Sequence, residues 1–176
     1  MTQVIAVVGP SGAGKDTLIE GALAARPDLR LARRVITRPS EAGGEDFNGV
    51  TEATFTTRRD AGEFALHWQA HGLHYGIPRS ALTGPGTVLF NCSRAVLAVA
   101  KAEIPGLRII LITAPDTVLA ARLAARGRED PADIAQRLAR ASFALPEGIT
   151  ATSVQNDTTT AAGIARFLTA LQPISG

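Results

Sequence analysis

Residues 9–16 read Gly9-Pro10-Ser11-Gly12-Ala13-Gly14-Lys15-Asp16, and this glycine-rich stretch decides the fold. It follows the β-branched apolar run Val4–Val8, which predicts a buried strand. It opens the segment Lys15–Ala25, which predicts a helix. Glycines let successive backbone N–H groups turn toward one point, where the helix N-terminus adds positive potential. The stretch therefore predicts a phosphate-binding loop, because a turn that only joined strand to helix would leave the placed lysine unexplained.

The loop predicts ATP as the ligand and departs from the usual pattern at one position. A Ser or Thr, whose hydroxyl binds Mg²⁺, usually follows the lysine; here Asp16 follows it, and Thr17 comes next. A carboxylate is a good Mg²⁺ ligand, so Asp16 is the candidate metal ligand. A water-mediated role, a helix-capping role and a metal role for Thr17 stay open. The predicted ATP contacts in the loop are Gly9, Pro10, Ser11, Gly12, Ala13, Gly14, Lys15, Asp16 and Thr17.

Further along the chain, short apolar runs alternate with helical patterns. Such alternation predicts an α/β fold with a central parallel sheet covered on both faces. The rhythm breaks between residues 37 and 85, which predicts an inserted substrate-binding region, and again at 127–131, which predicts a flap between two helices. The predicted strands are Leu31–Ile36, Thr87–Asn91, Arg108–Thr113 and Thr152–Asn156, and the predicted helices are Ala95–Glu103, Asp116–Arg126 and Ala161–Leu171.

The composition is that of one ordinary globular domain, with 176 residues, 45% apolar and 19% charged. A net charge of +2 is too small to indicate nucleic-acid binding. No apolar run reaches the roughly 20 residues that cross a membrane. The start Met1-Thr2-Gln3 carries no basic leader, so we expect a cytoplasmic protein. Sixteen arginines against two lysines supply planar guanidinium groups that suit phosphate.

Several later segments resemble the guanylate kinase-like family of P-loop kinases, and the resemblance runs over nearly the whole chain. It implies a single P-loop NTPase domain of three layers over residues 1–176, with its core at 1–36 and 86–176. A substrate-binding insertion is expected at about 37–85 and a short lid at about 122–137. The segments that carry the resemblance are Thr37-Arg38-Pro39, Gly62 to Phe64, Trp68 to Gly76, Arg122 to Arg128 with Arg137, and Gln155-Asn156-Asp157.

The chain departs from guanylate kinases at the residues that read the base. Leu66 stands where that family has a glutamate for guanine, and Asn91 lies where it has an acidic pair. A site without those hydrogen-bonding groups discriminates poorly for a base. Within the family, residues 9–16 and 68–76 most resemble the kinases that act on ribose 1,5-bisphosphate, and this resemblance implies that ATP phosphorylates that small sugar phosphate to 5-phosphoribosyl 1-diphosphate (PRPP). A kinase acting on GMP and, in another class, a non-catalytic interaction module remain alternatives.

The same resemblance implies the contacts to the acceptor. Arg38 and Tyr75 match residues that hold the acceptor phosphate in the family, and Arg94 adds a cation at the start of a predicted helix. Core packing for Tyr75 and an ordinary surface position for Arg38 and Arg94 are the alternatives. The full set of predicted acceptor contacts is Arg38, His71, Tyr75, Asn91 and Arg94.

The lid and the last strand complete the predicted site. The family uses lid arginines to neutralise charge on the transferring phosphoryl group, and solvated helix surface is the alternative for any one of them. Asn156 follows the last predicted strand, where the family contacts adenine. The attacking phosphate oxygen is already ionised near neutral pH, so no residue is assigned as a general base. The predicted catalytic residues are Lys15, Arg122, Arg126, Arg128 and Arg137.

Overall fold

The structure is a computed structural model that describes residues 2–10, 12–39, 47–125, 127, 130–140 and 144–173, without the side chains of residues 131, 137, 139 and 140. No helix within these residues is long and apolar enough to cross a membrane. Short 3₁₀ helices cover Arg79–Leu82 and Arg94–Val96. The strands are β1 (Gln3–Val8), β2 (Leu29–Leu31), β3 (Val35–Ile36), β4 (Asn48–Gly49), β5 (Phe64–Ala70), β6 (Leu73–Pro78), β7 (Thr87–Asn91), β8 (Arg108–Thr113) and β9 (Thr152–Gln155). The helices are α1 (Lys15–Ala25), α2 (Glu52–Asp60), α3 (Leu97–Glu103), α4 (Asp116–Ala124), α5 (Pro131–Arg140) and α6 (Thr160–Ala170).

The larger sheet contains five strands in the order β2-β7-β1-β8-β9. β2 pairs with β7 and β8 pairs with β9, both in parallel register. Consecutive residues of β1 and β7 are buried. Both faces of these strands are therefore covered, which is why their sequences are continuous apolar runs. The predicted α/β fold, with a central parallel sheet flanked by helices, is confirmed.

The smaller sheet contains four strands in the order β4-β3-β6-β5. β5 and β6 form an antiparallel hairpin in which Ala70 pairs with Leu73. The connection is therefore the two-residue turn His71-Gly72, and both residues have positive φ, 52° and 73°. That pair of φ signs is the one a type I′ turn requires, and its twist matches that of the strands it joins.

Two apolar clusters hold the smaller sheet together. Neighbouring residues of β3 point to opposite faces, so that Val35 joins one cluster and Ile36 the other. The first cluster contains Val35, Phe55 and Phe64, with Val50 packed against it. The second contains Ile36, Phe47 and Tyr75, with Trp68, Ala70 and Leu73 packed against it.

The predicted strand Leu31–Ile36 was wrong. Leu31–Ile36 is not continuous, because β2 ends at Leu31 and β3 begins at Val35. The two short strands belong to different sheets: β2 pairs with β7, whereas β3 pairs with β4 and β6. The Ala32 N–H still donates to Leu89 O at 2.8 Å, and the chain leaves the larger sheet after that bond.

The chain forms two compact units. One contains Met1–Ala6 and Arg26–Arg108, and the other contains Val7–Ala25 and Ile109–Gly176. The phosphate loop, Arg122 and Asn156 belong to the second unit, whereas the predicted acceptor contacts belong to the first. The single-domain organisation expected from the sequence, with residues 37–85 as an insertion, stays a prediction.

Candidate active site

The phosphate loop begins where β1 ends, at a glycine that the neighbouring strand requires. A Cβ on Gly9 would lie 2.3 Å from the backbone oxygen of Ile112 in β8. No side chain fits at that distance, so β1 and β8 approach each other closely only because residue 9 is glycine. The loop therefore starts from a fixed position at the carboxyl end of β1.

The loop itself turns through two glycines with positive φ. Gly12 has φ 85° and Gly14 has φ 89°, a region that L-residues with a side chain rarely adopt. The Ala13 N–H donates to Pro10 O at 3.2 Å, and the Leu18 N–H donates to Gly14 O at 3.0 Å, which starts α1. A glycine turn that runs directly into a helix N-terminus fits a bound phosphate.

Lys15 and Asp16 lie in the first turn of α1. The Lys15 Nζ atom donates to Gly9 O at 2.9 Å, so the side chain folds back over the loop. Asp16 and Thr17 are both exposed, and their oxygens are hard ligands of the type Mg²⁺ prefers. Of the remaining predicted loop contacts, Ser11 lies outside the described residues.

A cavity of about 220 Å³ lies against the loop. Arg122 reaches it from α4, and its Nη1 atom donates to Gly12 O at 3.1 Å and to Ala13 O at 3.4 Å. Its Nη2 atom donates to Asn156 O at 2.5 Å. Thr158 and Thr160 also line the cavity and were not predicted; their position just after Asn156 was the available signal. The lining residues are Gly12, Gly14, Thr17, Leu18, Arg122, Asn156, Thr158 and Thr160.

Asn156 is a buried polar residue directly after β9. Its Nδ2 atom donates to Ala13 O at 2.8 Å, and its backbone N–H donates to Thr113 O at 2.8 Å. A buried amide has to be hydrogen-bonded, and here the partner is the phosphate loop. The segment after it is held by Arg166, whose Nη1 atom donates to Gln155 O and to Asp157 Oδ1.

The remaining lid arginines are outside the described part of the site. Arg126 and Arg128 lie outside the described residues, and Arg137 lies in α5 with a side chain that is not described. Their predicted contact with the transferring phosphoryl group stays a prediction.

A second cavity, of about 620 Å³, lies in the first unit. Arg38 lines it, and its guanidinium carbon stands 4.2 Å from the centre of the Phe47 ring. The exposed Thr51 and Thr54 at the start of α2 also line it and were not predicted, although Thr51 is a recognisable helix N-cap whose oxygen accepts from the Thr54 N–H. The lining residues are Thr37, Arg38, Pro39, Gly49, Val50, Thr51 and Thr54.

The other predicted acceptor residues stand apart from the described lining of that cavity. Tyr75 is buried in the second apolar cluster, where its ring stacks on that of Trp68 with 5.4 Å between the ring centres. The guanidinium carbon of Arg34 lies 5.0 Å from the centre of the Tyr75 ring. His71 occupies the exposed hairpin turn. Asn91 ends β7, and Arg94 opens the 3₁₀ helix capped by Ser93.

The position expected to read a base in guanylate kinases is apolar and enclosed. Leu66 is 2% exposed and pairs with Ile77 across the hairpin. A buried Leu in this position offers no hydrogen bond to a base edge. The side chain contributes to the interior of the smaller sheet.

Comparison with known proteins first defines the class. A family model described as an AAA domain matches residues 4–145, and the chain belongs to that domain family. The crystal structure of guanylate kinase from Anaplasma phagocytophilum matches with a TM-score of 0.62 over 96% of this chain and 83% of that one. At 18% sequence identity, this is a likeness of fold.

Sequence relatives then narrow the class. The chain is 58% identical to ribose 1,5-bisphosphate phosphokinase PhnN of Ruegeria sp. (strain TM1040), over 83% of the chain and 78% of that protein. It is also 49% identical to the bifunctional ribose 1,5-bisphosphokinase-thymidine phosphorylase of Cupriavidus necator. That match includes 94% of this chain but only 28% of the length of the bifunctional protein. The chain belongs to the ribose 1,5-bisphosphate phosphokinase family, which confirms the resemblance drawn from the sequence.

Proposed function

We propose that this chain transfers the γ-phosphoryl group of ATP to ribose 1,5-bisphosphate and forms PRPP. The observation that carries the proposal is the phosphate loop, which keeps its glycine turn and its lysine in a chain 58% identical to a protein named for this reaction. ATP and sugar phosphates are both cytoplasmic metabolites, so we place the activity in the cytoplasm. Both substrates are small molecules.

The reaction needs positioning and charge neutralisation more than proton transfer. An ionised oxygen of the anomeric phosphate attacks the γ-phosphorus, the bond from that phosphorus to the β,γ-bridging oxygen breaks, and ADP leaves with the electron pair. No proton has to be removed from the attacking oxygen. Catalysis then rests on holding the two phosphates in line and on stabilising the charge that spreads over the transferring group.

On the nucleotide side, the proposed contacts are the loop residues 9–17. The turn formed by Gly12 and Gly14 would direct backbone N–H groups at the β-phosphate, and Lys15 would exchange its contact with Gly9 O for phosphate oxygens. Thr158 and Thr160 line the same cavity and are proposed to contact the nucleoside. We propose that ATP binds in this cavity of about 220 Å³ beside the phosphate loop, because its lining combines a helix N-terminus with hydroxyl groups.

Mg²⁺ fits this site as a metal shared with the nucleotide. Within the described residues no three His, Cys, Asp or Glu side chains gather into a metal centre, and Mg²⁺ commonly takes one or two protein oxygens and completes its shell with water and phosphate. Asp16 or Thr17 would supply such an oxygen. The metal would neutralise charge on the β- and γ-phosphates.

On the acceptor side, Arg38 has the strongest support. Its guanidinium is oriented by the Phe47 ring and lines a cavity edged by two threonine hydroxyls, a combination suited to a sugar phosphate. Roles for His71, Tyr75, Asn91 and Arg94 are proposed on the family resemblance. Arg126, Arg128 and Arg137 are proposed on the same ground to reach the transferring group.

Three acceptors test the proposal in one assay. Purified protein is mixed with ATP and Mg²⁺ and with ribose 1,5-bisphosphate, ribose 5-phosphate or GMP; ADP release is followed, and the product is identified by ³¹P NMR. Only with ribose 1,5-bisphosphate do we expect turnover and the diphosphate signals of PRPP in addition to those of ADP. Ribose 5-phosphate should not react, since it lacks the attacking anomeric phosphate. Faster turnover with GMP would overturn the acceptor assignment. No turnover with any acceptor would remove the kinase activity and favour an interaction module.

A further inference from the structure

We propose that Arg122 and Asn156 are positioning residues that form a clamp on the carbonyl side of the phosphate loop, with Gly163 as the space that the clamp needs. The proposal rests on the loop binding phosphate, as proposed above. It assigns these side chains to the loop backbone, in place of the adenine for Asn156 and the transferring phosphoryl group for Arg122. All of the residues involved lie in the second unit.

The clamp acts on the peptide between Ala13 and Gly14. The Ala13 carbonyl oxygen accepts from Asn156 Nδ2 at 2.8 Å and from Arg122 Nη1 at 3.4 Å. In a planar trans peptide the N–H of the next residue points opposite to the carbonyl. Fixing the Ala13 carbonyl therefore fixes the direction of the Gly14 N–H, which lies in the same peptide plane and points the opposite way.

Arg122 extends the same restraint to two neighbouring carbonyls. Its guanidinium also donates to Gly12 O at 3.1 Å and to Asn156 O at 2.5 Å. A guanidinium is planar and carries its N–H groups in a rigid fork, so that three carbonyls on one cation are held in a single arrangement. The loop and the segment after β9 are thereby tied together, although about 143 residues of chain separate Ala13 from Asn156.

Two glycines enclose the Asn156 amide. A Cβ on Gly14 would lie 2.5 Å from Nδ2, and a Cβ on Gly163 in α6 would lie 2.2 Å from Oδ1. Both distances are too short for any side chain. Gly14 already needs its positive φ, but Gly163 lies inside a helix, where glycine is otherwise unfavourable, and the place taken by Asn156 gives a reason for it.

A restraint of this kind matters because glycine loops are intrinsically mobile. A phosphate loop that has to be ordered on binding loses affinity to the entropy of ordering, and a loop held in its binding geometry beforehand avoids that loss. The clamp is therefore expected to strengthen the interaction with the β-phosphate specifically. It is not expected to change the interaction with the nucleoside.

The ratio of AMP to ADP dissociation constants isolates this effect. Both nucleotides share the nucleoside and the α-phosphate, so their ratio reports what the β-phosphate contributes. We would measure both by calorimetry in EDTA, so that no metal adds to ADP binding. In Asn156→Ala and in Gly163→Ala we expect ADP binding to weaken about tenfold, the size of one lost hydrogen bond at a buried carbonyl, while AMP binding changes little.

Gly21→Ala is the matched control. A Cβ on Gly21 in α1 would lie 2.3 Å from Ile164 Cδ1 in α6, and a Cβ on Gly163 in α6 would lie 3.0 Å from Leu18 Cδ2 in α1. Both variants therefore disturb the contact between α1 and α6, but only Gly163→Ala reaches Asn156. For Gly21→Ala we expect a lower melting temperature and an unchanged AMP-to-ADP ratio. A ratio that fell as far as in Gly163→Ala would overturn the clamp, because general loosening of the helix pair would then explain both.

Arg122→Lys keeps the test decisive if the buried variants fold poorly, because residue 122 is only half-buried and keeps its charge. A lysine carries its N–H groups on a single nitrogen and lacks the planar fork with which Arg122 Nη1 holds Gly12 O while Nη2 holds Asn156 O, so we expect a several-fold fall in the same ratio. If only a non-hydrolysable ATP analogue binds more weakly and the ratio is unchanged, Arg122 contacts the γ-phosphate and the clamp is wrong.

Equal weakening of AMP and ADP in Asn156→Ala would assign that residue to the nucleoside and overturn the clamp. If the wild-type protein showed no preference for ADP over AMP, the loop would not bind the β-phosphate, and the proposed function would be overturned as well.

Discussion

Lys15 is one of two lysines in the chain, and the other provides its control. Lys15 folds back onto Gly9 O from within the loop, where a phosphate would take over that contact. We expect Lys15→Ala to lower kcat by about two to three orders of magnitude, as the loss of one preorganised charge-stabilising donor does. The melting temperature should change little, because the side chain is only half-buried. Turnover by ADP release and thermal unfolding would be measured together.

Lys101→Ala should show the opposite combination. Lys101 lies in the last turn of α3 and donates to Leu107 O, far along the chain from the loop. Its loss should cost about 1 kcal/mol of stability, with kcat retained. A Lys15→Ala protein that kept wild-type turnover would contradict the proposed role of the loop lysine.

Arg38 allows a second prediction, because a lysine conserves its charge but not its geometry. Arg38→Lys loses both the planar fork and the stacking on Phe47, so KM for ribose 1,5-bisphosphate should rise about tenfold while KM for ATP is unchanged. Arg58→Lys is the matched control: Arg58 also stands over a ring, Phe64 at 5.3 Å, and it pairs with Glu63. An equal rise in KM for both variants would mean that Arg38 acts only through the fold of this unit.

Among the elements, the β5–β6 hairpin separates a structural role for His71 from a role in binding. His71 has φ 52° in the two-residue turn, a conformation that costs most residues about 1 kcal/mol or more and that asparagine tolerates better. We expect His71→Asn to raise the free energy of unfolding by about 0.5 kcal/mol, since Asn-Gly is a preferred pair in this turn. Denaturant unfolding would measure it. An increase in KM for the acceptor in the same variant would support the proposed contact of His71 with substrate, whereas an unchanged KM would limit His71 to the turn.

Four strands of the larger sheet, β1, β7, β8 and β9, were predictable because each has a local signal. The β-branched run before Gly9 marks β1, and α1, β7 and β8 have the predicted bounds, Lys15–Ala25, Thr87–Asn91 and Arg108–Thr113. The short strands β2 and β3 were not separable, because Leu31–Ile36 contains no glycine or proline where the chain changes sheets. The β5–β6 hairpin was read as part of an irregular insertion, because its glycines, aromatic and polar residues differ from the apolar runs of the parallel strands, although side-chain burial does alternate along β5.

The site shows the same division between local and distant signals. The loop is a contiguous motif and could be read directly from residues 9–16. The contact from Asn156 to Ala13 joins residues 143 positions apart, and no spacing in the sequence indicates it. Likewise the apolar cluster around Tyr75 forms from three separate strands and the loop residue Phe47, so the choice between core packing and substrate contact depended on the tertiary structure.

At the scale of the whole molecule, the two proposed binding sites belong to different compact units. The nucleotide cavity is built from residues of the second unit, and the cavity lined by Arg38 from residues of the first. Each ligand should therefore leave its own footprint when it is added without the other substrate. Amide hydrogen exchange measures this, because a bound ligand suppresses local opening of the backbone it contacts.

We expect ADP to slow exchange at residues 12–18 and 156–160, and ribose 1,5-bisphosphate to slow it at residues 37–39 and 49–54, because these segments line the two cavities. At a ligand concentration of 100 times Kd the added protection would correspond to about 2.7 kcal/mol for amides that exchange only from the ligand-free protein. The Lys15→Ala variant supplies the control, since it should lose the ADP footprint and keep that of the sugar phosphate. Protection of residues 12–18 by ribose 1,5-bisphosphate alone would show that the acceptor also enters the phosphate loop, and the assignment of one ligand to each unit would then be wrong.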